Sequence, residues 1–151
     1  EREEGSLALV HASCALEASR ARGRWWDDAC PTCGHAYEGP LAVQLGEAAL
    51  AALSEREDSG DPEGHLPRDA QLMRAAVLGN LASACGSVGD HRRQRELLQE
   101  SLLAKEALLG PGDQQVASAL ANLSNACASC GDFEEQRRLL ERALAIRVSD
   151  A

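Results

Sequence analysis

The residues of this chain best suited to chemistry are two pairs near its start, His11-x-x-Cys14 and Cys30-x-x-Cys33, with fifteen residues between them. Imidazole and thiolate are the soft donors of tetrahedral zinc, and structural zinc sites are built from pairs spaced in this way. His11 and Cys14 fall one turn apart on a helix running from about Ser6, while Cys30-Pro31-Thr32-Cys33 makes a tight knuckle. The expectation is one structural Zn2+ per chain, held by His11, Cys14, Cys30 and Cys33, with His35 as a spare donor. Ordinary reduced thiols and disulfides are the alternatives, and a disulfide would leave one of Cys14, Cys30 and Cys33 unpaired. No Gly-rich phosphate loop, Gly-x-Ser-x-Gly elbow or His-Glu metalloprotease pair occurs, so no enzymatic activity is expected.

A short metal knuckle has little core of its own and must lean on a larger body. That body is a repeat. Ala75–Leu102, set above Ala117–Leu144 42 positions later, matches at fourteen of 28 positions. Shared blocks include Leu78-x-Asn80-Leu81 with Leu120-x-Asn122-Leu123, Ala84-Cys85 with Ala126-Cys127, and Gly89-Asp90 with Gly131-Asp132. Apolar residues fall at helical spacing in each copy, as at Leu120, Leu123, Ala126 and Cys127, then Leu139, Leu140, Ala143 and Leu144. Each copy therefore reads as two helices joined by a helix-ending Gly and a capping Asp. Gly110-Pro111-Gly112-Asp113 separates the copies. A helical hairpin of this length cannot bury its apolar face alone, so the copies must stack.

These blocks resemble the tetratricopeptide repeat in the 42-residue form of kinesin light chains. In the first copy Leu78, Leu81, Cys85, Gly89, Leu98 and Leu102 fill the family's packing positions. In the second they are Leu120, Leu123, Cys127, Gly131, Phe133, Leu140, Ala143 and Leu144. Two positions depart from the pattern: Gln94 and Gln136 stand where a small residue is usual, and His91 replaces the aromatic seen at Phe133. The resemblance implies a concave surface lined by the first helix of each repeat, with Asn80, Ser83, Asn122 and Asn125 as partner-binding residues. An Asn amide both donates and accepts, so it can hold an extended backbone. Some relatives clamp a terminal carboxylate with Lys or Arg beside such Asn residues; Gly79 and Ala121 stand there, which disfavours that ligand. Cys85 and Cys127 read as core thiols.

Upstream, Pro40 to Asp58 carries Leu41, Leu45, Ala49, Leu50 and Leu53 on one helical face, and its Glu47-Ala48-Ala49-Leu50-Ala51 resembles Glu141-Arg142-Ala143-Leu144-Ala145. It reads as the second helix of a degenerate earlier repeat. The expected fold is all-α: a tetratricopeptide-like helical-repeat solenoid with a small N-terminal zinc-finger-like cap. Its parts are a zinc-knuckle segment over 1–39 and a repeat domain over 40–151, with a half repeat at 40–58 and repeats at about 69–109 and 113–149. The N-terminal segment also resembles the second half of a RING-variant finger, through His11-x-x-Cys14, Trp25-Trp26 and Cys30-Pro31-x-Cys33. That resemblance implies, as an alternative, a fragment or remnant of a ubiquitin ligase whose repeats choose the substrate. The first two ligand pairs of such a finger do not occur in this sequence. Trp25 and Trp26 read either as packing against the first repeat helix or as exposed partner anchors.

A net charge of −9 disfavours a nucleic-acid binder, because phosphate contacts need a clustered excess of cations. No apolar run approaches the roughly 20 residues that span a bilayer, so no membrane insertion is expected. Protein partners, in the form of an extended peptide or a multisubunit complex, are the expected ligands. The location expected by default is a reducing, cytoplasmic one, with an organelle as the alternative if a transit peptide has been removed.

Overall fold

A computed structural model describes residues 37–59 and 67–149, and these residues form five helices. They are α1 (Gly39–Ser59), α2 (Arg68–Ser87), α3 (His91–Leu109), α4 (Gln114–Ser129) and α5 (Phe133–Ser149). No strand occurs among the described residues, in keeping with a core made of Ala and Leu rather than rings.

The duplicated Gly-Asp turns build both hairpins in the same way. After α2, Asp90 N–H reaches back to the Cys85 carbonyl at 2.9 Å and Gly89 N–H to that of Gly86 at 3.1 Å. After α4, Asp132 N–H bonds the Cys127 carbonyl at 2.9 Å and Gly131 N–H that of Ala128 at 2.9 Å. This paired closure requires a left-handed residue at the turn, which is why Gly89 (φ 84°) and Gly131 (φ 78°) stand there. The following Asp then starts the next helix: Asp90 accepts from Arg93 N–H at 3.1 Å and Asp132 from Glu135 N–H at 3.2 Å. Asp113 does the same for α4, accepting from Gln115 N–H at 2.7 Å.

Each helix packs on the next in sequence: α2 on α3 and α4 on α5 within the hairpins, α1 on α2 and α3 on α4 between them. Packing concentrated between neighbours in sequence is that of a stacked solenoid. One core cluster joins Leu98 and Leu102 of α3, Val116, Leu120 and Leu123 of α4, and Leu139, Ala143 and Ile146 of α5. A second, smaller cluster sets Ala49 and Leu53 of α1 against Val77 of α2.

In the first repeat, the two departures from the family pattern are compensated. A Cβ added at Gly86 would come within 2.6 Å of the Gln94 amide, so the missing side chain on α2 makes the room that Gln94 occupies on α3. Gln94 Oε1 in turn lies 3.2 Å from His91 Nδ1, so His91 and Gln94 act as one polar contact at the hairpin base. Ser101, equivalent to Ala143, is buried and donates to the Ala75 carbonyl at 2.7 Å, tying α3 to α2.

Candidate functional site

Asn80 and Ser83 sit one turn apart on α2, and Asn122 and Asn125 one turn apart on α4, the first helix of each hairpin. The buried stripes of those helices, Leu78, Leu81 and Cys85 or Leu120, Leu123 and Cys127, point the other way into the core. Asn80 is half-buried; Ser83, Asn122 and Asn125 are exposed. Ser83 Oγ donates to the Gly79 carbonyl at 3.2 Å, a local bond that leaves its oxygen free to accept. The side-chain amides of Asn80, Asn122 and Asn125 make no hydrogen bond among the described residues. They neither cap nor brace a described helix.

Asn80 and Ser83 line a shallow recess of about 570 Å³, with Ala84 and Ser87 beside them on α2 and Tyr37 and Ala42 across from them. Glu38 is the one charged side chain in its described lining. A wall of amide and hydroxyl groups whose one charged member, Glu38, is anionic suits the N–H and C=O of a peptide backbone better than a carboxylate.

The charged side chains lie elsewhere and work as struts. Arg93 of α3 reaches Glu47 of α1 at 2.6 Å, and Arg95 reaches Asp132 at the head of α5 at 3.0 Å. Arg142 of α5 pairs with Glu106 of α3. The first ties α1 to the first hairpin, and the other two tie the first hairpin to the second. Glu134 with Arg137 and Glu135 with Arg138 pair along α5 at 2.9 and 2.8 Å, as one-turn surface pairs.

Cys85 and Cys127 are buried, free thiols, and burial pushes both above the ordinary thiol range. They stay protonated at neutral pH, which fits a packing role rather than nucleophilic chemistry. Cys130 is free and exposed, its thiol 3.6 Å from the His91 carbonyl. Among the described residues no group of three His, Cys, Asp or Glu side chains is placed to hold a metal ion. His11, Cys14, Cys30, Cys33, His35, Trp25 and Trp26 lie outside the described residues.

One expectation is corrected. The family pattern puts Phe133, Leu140 and Leu144 at packing positions, yet all three are exposed, as is Val148. Leu98 and Leu102, the counterparts of Leu140 and Leu144, are buried because α4 lies over them, and no described helix covers the corresponding face of α5.

Stacked α-helical hairpins joined at Gly-Asp turns define this molecule as a helical-repeat protein. Residues 73–147 match the model of the tetratricopeptide repeat family, and over that span the chain is built of tetratricopeptide repeats. Such repeats serve protein–protein interaction in general. No curated protein matches the chain. No described helix is long and apolar enough to cross a membrane.

Proposed function

We propose that the chain is a protein-interaction scaffold or adaptor, a subunit of a larger assembly, that holds an extended segment of a partner along the first helices of its repeats. The observation that carries this reading is the set of Asn80, Asn122 and Asn125 amides, which face outward from family-matched helices without a described hydrogen-bond partner. A solvated amide loses little on exchanging water for a peptide group, and each such bond contributes about 0.5–1.5 kcal/mol. Three together are worth roughly one to three orders of magnitude in affinity. The work is binding, without turnover.

The test is retention of cross-linked partners by the whole chain, wild type beside Asn80→Ala/Asn122→Ala/Asn125→Ala. These side chains are outside the core, so helicity is expected to be unchanged while retention falls by about tenfold or more. Equal retention by both chains would sink the role given to these amides.

A single structural zinc completes the proposal. It rests on the types and spacing of His11, Cys14, Cys30 and Cys33. Metal analysis of the purified chain is expected to find one zinc, lost in Cys30→Ser. A metal-free wild type whose helicity ignores added chelator would remove zinc from the reading and leave a plain repeat scaffold.

A further inference from the structure

The α5 helix carries an apolar strip that the rest of the described chain leaves open: Phe133 is 67% exposed, Leu140 43%, Leu144 62% and Val148 66%. A groove of about 380 Å³ runs along it, with Gln136, Arg137 and Glu141 between the apolar residues. The internal duplication shows what chemistry covers such a strip. On α3, Leu98 and Leu102, the counterparts of Leu140 and Leu144, are 4% and 6% exposed because Val116, Leu120 and Leu123 of α4 complete their cluster. Arg95, the counterpart of Arg137, pairs there with Asp132 at the far end of the covering unit. The seam between α1 and α2 repeats the arrangement. Aligning Glu47–Ala51 with Glu141–Ala145 sets Gly46 opposite Leu140, and Leu81, the α2 counterpart of Leu123, lands on Gly46.

We propose that the open face of α5 seats an amphipathic helix of another protein, one with an α4-like stripe of Val, Leu and Ala and a carboxylate placed to meet Arg137. The inference rests on the interaction reading above but uses a different surface, so the two can fail separately. Continuity with the α1–α2 and α3–α4 seams supplies the apolar chemistry, and the Arg95–Asp132 pair supplies the charge. A second copy of the chain has no described helix of that kind to lend: the apolar stripes of α2 and α4 are already buried within it. Arg137 pairs with Glu134 across exposed side chains, a contact weak enough to exchange for a partner's carboxylate. Recognition is that of a helix laid into a groove.

The probe is a synthetic peptide with the sequence of residues 113–132, which contains α4 and Asp132, held helical by a staple between positions 118 and 122, outside the buried stripe. Saturable binding to the full chain is expected. Leu140→Asp/Leu144→Asp should weaken it by at least about tenfold, since charges would replace the groove's apolar floor. Arg137→Glu should weaken it by about two- to fivefold, and an Asp132→Arg peptide should recover that loss. The triple Asn variant should bind the peptide as wild type does. Three results would overturn the proposal: no saturable binding, equal binding to the Leu140→Asp/Leu144→Asp chain, or a self-associated chain that these substitutions make monomeric. The last would assign the face to a second copy.

Discussion

Leu120→Ala is expected to cost the chain about 2–5 kcal/mol, the range for truncating a fully enclosed leucine. Leu120 is wholly buried in the middle of α4, and its cluster takes residues from α3 on one side and α5 on the other. A void there opens onto the seam within one hairpin and onto the seam between two. Collapse around it is restricted, because both neighbouring helices are also fixed by the Arg95–Asp132 and Arg142–Glu106 struts. Leu144→Ala, in the same hairpin, removes the same atoms from an exposed site and is expected to stay within about 0.5 kcal/mol of wild type. Urea unfolding followed by circular dichroism measures both. Equal costs would mean that Leu144 is covered in solution.

What can be read from the residues is whatever the duplication states twice. Gly89-Asp90 and Gly131-Asp132 specify a turn whose hydrogen bonds are local, so its geometry follows from a few residues of sequence. The same holds for Cys85 and Cys127, which sit in register with Leu78, Leu81, Leu120 and Leu123 and are buried with them. Contacts between unequal partners are not legible in this way. Gln94 looks like a departure from the pattern because its complement, the bare Cα of Gly86, lies on another helix. Arg95 and Asp132 are 37 residues apart, and only the stacking of hairpins brings them together.

The candidate site divides in the same way. Periodicity fixes which side of α2 and α4 is apolar, and hence that Asn80, Asn122 and Asn125 point away from the core; their lack of a described partner is a fact of three dimensions. The exposure of Leu140 and Leu144 escapes the sequence for the converse reason. A repeat motif records that a position faces a neighbour, but not whether that neighbour is present. The residues that look most like core in sequence therefore stand exposed on α5 among the described residues.

Gly46→Val is expected to destabilise the chain by about 1–3 kcal/mol, through overpacking of the seam between α1 and α2. A Cβ at Gly46 would stand 2.9 Å from Leu81 Cδ1, 3.0 Å from its Cβ and 3.3 Å from its Cγ. The Cδ1 methyl can swing away, but Leu81 Cβ is fixed to the backbone of α2, so the helices themselves must separate. The gain in helix propensity on leaving glycine amounts to a few tenths of a kcal/mol for valine and does not offset this. Gly79→Ala is the opposite case: its Cβ would meet only Ser101 Oγ, at an ordinary 3.7 Å, and Ala121 already stands at the equivalent place. That change is expected to add about 0.5–1 kcal/mol. Coupling identifies the cause of the Gly46→Val loss. If the clash with Leu81 is responsible, Leu81→Gly, which removes that Cβ, should cost less in the Gly46→Val background than in wild type, by about 0.5 kcal/mol or more. Additive costs would place the strain elsewhere, and a Gly46→Val chain as stable as wild type would show that α1 does not seat against α2 through this glycine.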